Sequence, residues 1–198
     1  MNNLILLSNI SKSFYTNKKI NILNKISYKF KKGKIYSIVG PSGSGKSTLL
    51  NIMSLIDKPS SGKIKISSNE INFLNSQFND RLRADKIGII YQQNNLLPDF
   101  TALENVYLAK LAISNDKNKA LIKSKKILQK LGLINRINHY PSELSGGEIQ
   151  RTAIARALIN EPEIILADEP TGSLDQSNAK DVFKILHKLK NSNRLIIY

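Results

Sequence analysis

The sequence contains no cysteine and no tryptophan, only two histidines, and half as many acidic side chains as basic ones, 15 against 30. Without cysteine, disulfides and thiolate metal sites are excluded, and two histidines do not by themselves build a metal cage. That fits a cytoplasmic protein. No stretch approaches the roughly 20 consecutive apolar residues that cross a bilayer, and the opening MNNLILLSNISKSF lacks a basic start and a small-residue cleavage site. The chain is therefore expected to stay where it is made. The shortage of acids leaves a formal charge of +15, which raises nucleic acid or an anionic membrane surface as partners. Lysines are spread along the chain, however, and no segment interleaves aromatics with basic residues as a base-stacking platform does, which argues against nucleic acid. Weak attraction to acidic lipid headgroups stays open. With 198 residues, 41% of them hydrophobic, the chain has the size of one large domain with a packed core.

Periodicity changes along the chain. Leu4–Leu7, the alternating Ile22–Phe30 and Lys34–Val39 read as short strands, the last running into a glycine-rich loop. Ser47 to Ile56 then carries a helical apolar pattern, and Lys63–Ile66 and Ile87–Tyr91 return to strand-like runs. This alternation predicts an α/β fold. From Thr101 to about Ile159 the pattern is helical. Thr101 and Glu104 have capping-box spacing, Leu121, Ile127, Leu128 and Leu131 recur at helical spacing, and Gly132 suits a C-terminal cap. Glu163–Ala167 is a short apolar run ending in two acids. An amphipathic helix with Ala179, Val182, Phe183, Leu186 and Leu189 on one face follows, and Arg194–Tyr198 closes the chain as a last strand.

Three segments carry chemistry. Gly40-Pro41-Ser42-Gly43-Ser44-Gly45-Lys46-Ser47, followed by Thr48, fits the phosphate-cradling pattern and lies between a predicted strand and a predicted helix, as that pattern requires. Glycines let backbone N–H groups converge on phosphate oxygens, and the helix starting near Lys46 adds the positive end of its dipole. Lys46 should reach the β- and γ-phosphates, and the Ser47 hydroxyl is placed to ligate Mg²⁺. At the carboxyl end of a buried strand, Asp168 would hold Mg²⁺ through water and Glu169 would polarise the attacking water as general base. The third segment, Leu144-Ser145-Gly146-Gly147-Glu148-Ile149-Gln150-Arg151, would expose the backbone N–H groups of Ser145, Gly146 and Gly147 at a helix start as a second anion site.

That third segment resembles the signature of the ATP-binding cassette family, and the resemblance extends over essentially the whole chain. It implies a RecA-like parallel core with an N-terminal antiparallel β subdomain, residues 1–94 and 160–198, and an α-helical signature subdomain, residues 95–159, within a single ATPase domain. It implies ATP and Mg²⁺ as ligands. It also implies a homodimer packed head to tail, in which the signature of one subunit closes on the γ-phosphate held by the other. Ile90-Tyr91-Gln92 matches the family's glutamine loop, with Gln92 sensing Mg²⁺ and water. Pro170 to Asp175 matches the stretch into the D-loop, whose Asp175 would cross the dimer interface. Phe14, or alternatively Tyr15, is placed to stack on adenine; for each aromatic, plain core packing is the competing reading. Within the family, the run from Asn95 to Val106, Asn138-His139-Tyr140-Pro141-Ser142-Glu143-Leu144 and the Ala-Asp-Glu-Pro-Thr-Gly run from Ala167 are similar to the lipoprotein-releasing and macrolide-export branch. Such a subunit works peripherally on the cytoplasmic face of the inner membrane, with the stretch after Gln92 forming the groove for a coupling helix of integral membrane permease subunits.

Two departures from the family pattern stand out. Ile149 occupies a position that is usually polar, beyond the glycines that bind phosphate. The family's switch histidine follows the last core strand, where this sequence stops at Tyr198; His187 belongs to the polar face of the amphipathic helix and His139 to a loop, so slow turnover is expected of these 198 residues. A drug or peptide exporter of the same branch, or a remnant that binds ATP with little hydrolysis, are the alternatives. A chromosome-maintenance ATPase would carry a long coiled coil or zinc module between its halves, and a translation-associated protein would carry two cassettes.

Overall fold

The structure, a computed structural model, describes residues 3–15, 18–172 and 174–198. Two sheets and six α-helices make up the described fold. Strands β1 (Asn3–Tyr15) and β2 (Lys19–Lys31) form an antiparallel ribbon, to which β4 (Ser61–Ile66) and β5 (Asn69–Glu70) add in the order β2-β1-β4-β5. The second sheet is parallel. Its order is β3 (Ile35–Tyr36), β8 (Leu195–Ile197), β7 (Ile164–Ala167) and β6 (Ile87–Ile90). The helices are α1 (Lys46–Met53), α2 (Ser76–Lys86), α3 (Ala102–Leu111), α4 (Lys117–Lys130), α5 (Gly146–Leu158) and α6 (Gln176–Lys188).

The central strands explain the layering. Successive side chains of a strand point to opposite faces. Ile164 and Leu166 of β7, with Leu195 and Ile197 of β8, enter the core shared with α1 and the antiparallel sheet. Ile165, Ala167 and Ile196 face the other way, against Ile154 and Leu158 of α5 and Val182 and Leu186 of α6. All four β7 residues are buried, which is why that run reads as unbroken hydrophobicity rather than alternation. Helix α5 serves two layers, because its Ala155, with Ile159 just beyond its end, also packs with Val106 of α3, Leu128 of α4 and Leu133.

Several expectations need correction. The β-region holds two 13-residue strands rather than short ones. A bulge carries β1 on past Leu7, where the expected strand ended: register shifts fall between Leu7 and Ile10, Asn9 adopts φ 52°, and its N–H donates to Ser27 Oγ at 2.8 Å. Helix α1 stops at Met53, with Leu55 in the left-handed region at φ 62°, so Ser54 to Ile56 form a turn. The run Lys34–Val39 contributes only Ile35–Tyr36 as assigned strand, although a bond from Ile38 N–H to the Tyr198 carbonyl at 2.7 Å carries the ladder further. Helix α2 had no counterpart in the sequence pattern: of its 11 residues only Asn79 is buried, so it lacks an apolar stripe. The capping box at Thr101 and Glu104 is present. Gly132 ends α4 at φ 74°, with its N–H on the Gln129 carbonyl and that of Leu133 on the Leu128 carbonyl, a Schellman arrangement.

Candidate active site

The loop 40–45 turns through two glycines in the left-handed region, Gly43 at φ 78° and Gly45 at φ 92°. Only glycine visits that region without steric cost. At Gly45 a Cβ would also come within 2.9 Å of Ile22 and Leu23, so the loop is pressed against β2. Gly45 is the residue before α1 and offers no side chain to cap it, leaving the first N–H groups of α1 to an incoming anion. Lys46 Nζ donates to the carbonyls of Gly40 at 3.0 Å and Pro41 at 3.1 Å and stands 3.8 Å from Glu169 Oε1. Ser47 is exposed and Thr48 half-buried on the first turn of α1.

The parallel register brings the acids to the same place. Ile90 pairs with Ala167, and the Asp168 N–H continues the ladder to the Ile90 carbonyl at 2.9 Å. Gln92 and Glu169 therefore each lie two residues past a matched pair. Gln92 Nε2 donates to Glu169 Oε2 at 3.1 Å. Glu169 itself is held at φ 43°, a conformation costing on the order of 1 kcal/mol for a non-glycine residue. Its carbonyl accepts from the Gly172 N–H at 3.0 Å, and the carbonyl of the next residue, Pro170, accepts from Gln150 Nε2 at 2.8 Å. Lys46, Asp168, Glu169 and Thr171, with Phe183 and Tyr198 packed edge to face at 5.7 Å, line a cleft of about 350 Å³.

The signature residues form a second group. Ser145 caps α5 in a complete capping box with Glu148, and Arg136 Nε donates to Glu148 Oε1 at 2.9 Å. The Ser145 backbone N–H, with Arg136 second, holds the Glu148 carboxyl at about 2, well below its ordinary value. Gly147 is buried against Asn178 of α6, where a Cβ would collide with the Asn178 amide. Asn178 in turn bonds Asp175, the N-cap of α6, whose carboxylate accepts from the N–H groups of Asn178 at 3.0 Å and Ser177 at 2.9 Å. These bonds, that of the Asn178 N–H foremost, lower the Asp175 pKa.

The fold thus unites Lys46, Asp168 and Glu169 in one cleft, with Gln92 bonded to Glu169 beside it, and Ser145, Gly146, Gly147 and Asp175 in another cluster. Neither the signature residues nor Phe14 and Tyr15 line the Lys46 cleft among the described residues. Phe14 and Tyr15 end β1 at 43% and 76% exposure, so Tyr15 is the more available for stacking, while Lys12 Nζ sits 4.9 Å over the Phe14 ring. Ile149 is half-buried, His187 is exposed on α6, and His139 lies in a loop beside Arg136. Sequence reasoning missed Gln150 and Arg156. The usable signal was polarity at helix positions among apolar neighbours: Gln150 is 1% exposed. Arg156 donates to the carbonyls of Asn95 at 2.5 Å and Asn94 at 2.6 Å, and burial, partly opposed by Tyr91, lowers its pKa.

No three His, Cys, Asp or Glu side chains gather as a metal cage among the described residues. The donors expected from the sequence, the Asp168 carboxylate, the Ser47 hydroxyl and the Gln92 amide oxygen, are nevertheless the hard oxygens that Mg²⁺ takes, an ion that uses one or two carboxylates and completes its shell with phosphates and water.

The sequence model of the ABC transporter family matches residues 23–172. The chain belongs to the ABC transporter family. As an ABC ATPase cassette it is an enzyme of nucleotide binding and transport. It is 48% identical, over 98% of its length and 85% of the relative's, to the lipoprotein-releasing system ATP-binding protein LolD of Buchnera aphidicola subsp. Schizaphis graminum. It is 49% identical to the protein of that name from Wigglesworthia glossinidia brevipalpis, over 96% of this chain and 84% of that one. Among solved structures, it superposes with a TM-score of 0.91 on an ATP-binding cassette dimer in a post-hydrolysis state bound to ADP and Pi, at 38% identity over 98% of this chain and 87% of that one. The ABC fold expected from the sequence is thereby established, with its antiparallel sheet, parallel sheet and helices. No described helix is long and apolar enough to cross a membrane.

Proposed function

We propose that this chain is the ATP-hydrolysing subunit of a transporter that releases lipoproteins from a membrane, working as a homodimer bound to integral membrane subunits. The observation that carries the hydrolytic part is the meeting of Lys46, Gln92 and Glu169 at the carboxyl end of the parallel sheet, from three separate segments. The names of the relatives support the cargo. In this reading the loop 40–48 binds the triphosphate, and Lys46 supplies a fixed positive charge to the β- and γ-phosphates. Ser47, Asp168 and Gln92 are the groups that would hold Mg²⁺, which neutralises charge on the phosphate oxygens. Gln92 orients the attacking water, and the Glu169 carboxylate accepts its proton as the new P–O bond forms and the bond to the ADP leaving group breaks. Gly146 and Gly147 offer N–H groups to the nucleotide of the other subunit, that of Ser145 being held by Glu148, and Asp175 faces the same interface.

A cleft of about 1160 Å³ between α2, α3, α5 and β6 supports the membrane-subunit contact, since the stretch after Gln92 borders it at Asn95. Attachment at that cleft would keep the subunit peripheral, at the cytoplasmic face of the inner membrane. The test is steady-state phosphate release from MgATP by this chain and by Glu169→Gln, each first shown to bind ATP. The variant should lose roughly 10²–10⁴ of the rate, the range of a lost general base. Equal rates would remove Glu169 from the mechanism.

A further inference from the structure

Gln92 and Glu169 come from different loops, so their 3.1 Å contact depends on what holds those loops. Both are held by one helix. Near its start, α5 sends the fully buried Gln150 amide to the Pro170 carbonyl at 2.8 Å, immediately after Glu169. Near its end it sends the Arg156 guanidinium to the carbonyls of Asn94 and Asn95 at 2.6 Å and 2.5 Å, just after Gln92. Both anchored stretches are conformationally demanding. Asn94 and Asn95 lie at φ 46° and 45°, and Glu169 at 43°, so each loop sits in a region that non-glycine residues leave unless bonded into place. Helix α5 is itself fixed to the sheet. Gly88 of β6 lies so close beneath it that a Cβ there would collide with the Ala157 carbonyl.

We propose that Gln150 and Arg156 are positioning residues for hydrolysis: through α5 they hold the glutamine loop and the acid-bearing turn at the separation that lets Gln92 and Glu169 act on one water. The inference rests on the hydrolytic reading of that pair given above. A planar fork suits the Arg156 task, since two adjacent carbonyls are held at once and lysine reaches only one with comparable geometry. Helix α5 is capped by Ser145 and begins at Gly146, so the segment assigned to the partner's nucleotide and the two loops of the chain's own site are joined by one rigid rod of 13 residues. Small errors in such positioning are expensive in rate, about 10²-fold for a displacement of 1 Å.

The experiment compares the unmodified chain with Gln150→Leu, Arg156→Ala and the milder Arg156→Lys, together with Glu169→Gln and the double variant Gln150→Leu/Glu169→Gln. Phosphate release should show kcat falling about 10- to 100-fold in Gln150→Leu and Arg156→Ala with KM for ATP within about threefold, and Arg156→Lys should fall between. Because Gln150 acts through Glu169, the double variant should be no slower than Glu169→Gln alone. Hydrogen–deuterium exchange without nucleotide should accelerate at 91–96 in the Arg156 variants and at 169–174 in Gln150→Leu, with β6 and β7 unchanged. If Gln150→Leu does not fold, Arg156→Lys carries the same test. An unmodified chain that matches Glu169→Gln overturns the hydrolytic reading and this proposal with it. A clear difference there, combined with normal kcat and local exchange in folded Gln150 and Arg156 variants, overturns the proposal alone. So does a fall in kcat matched by a global rise in exchange.

Discussion

Replacing Glu148 with alanine removes three bonds at the start of α5 and leaves the core untouched. The carboxylate accepts from the Ser145 N–H at 2.8 Å, from its hydroxyl at 2.9 Å and from Arg136 Nε at 2.9 Å. Half of a capping box contributes about 1 kcal/mol, and a partly exposed Arg–Glu pair about 0.5 kcal/mol more. The carboxyl is held at about 2 against an ordinary value of 4.5, which sets a ceiling near 3 kcal/mol before solvent screening. The expected loss at pH 7 is therefore about 1.5–2 kcal/mol, or a fall in Tm of roughly 5 °C for a chain of this length. Because the folded pKa is depressed, this contribution is complete above about pH 4.5 and disappears as pH falls towards 2. Urea unfolding of both proteins at several pH values from 7 to 3 provides the measurement. A gap between them that stays constant down to pH 3, or one below about 0.5 kcal/mol at pH 7, would refute the assignment.

Other outcomes follow from the same geometry. Lys46→Ala should weaken MgATP binding about 10- to 100-fold, the worth of one or two charged hydrogen bonds in the site, measured with a fluorescent nucleotide; unchanged affinity would mean that Lys46 does not touch the phosphates. Glu169→Gln should keep that affinity and accumulate an ATP-bound dimer on size exclusion, and a species that stays monomeric with ATP bound would count against the two-subunit site. Gly88→Ala should lower stability by about 1–3 kcal/mol, since the new methyl meets the Ala157 carbonyl and Pro162 Cγ; a Tm equal to the parent's would show that α5 can lift without cost.

Much of the fold was legible because local chemistry announced it. The phosphate loop is recognisable from the glycines and lysine alone, the capping pair at Thr101/Glu104 sits at fixed spacing, and α6 shows its buried Val182 and Leu186 at i, i+4. What stayed hidden had no such signature. Helix α2 is capped by Asn75, whose side chain accepts from the Phe78 N–H at 3.1 Å, yet it buries almost nothing and so has no hydrophobic period to read. The length of β1 was hidden by Asn9, polar and in the left-handed region, where a bulge rather than a turn resolves the pattern. At the site, Glu169 and Gln92 were identified singly from motif and resemblance, but their contact belongs to sheet register. Gln150 and Arg156 stand out only as polar positions among apolar helix neighbours, and the backbone carbonyls they bond carry no sequence signal.

The pairing of Ile90 with Ala167 has a consequence for how such a protein diversifies. Gln92 and Glu169 are 77 positions apart, and about half of the stretch between them builds α3, α4 and α5. A backbone ladder between β6 and β7 brings the ends of the two strands together, and of the side chains in the intervening stretch only Gln150 and Arg156 of α5 are proposed to refine that placement. Surface residues of α3 and α4 can thus be rewritten without moving that ladder, provided that α5 keeps its hold on the sheet. On the proposed function, partner choice and hydrolytic geometry would be separable inheritances, held together by a single helix.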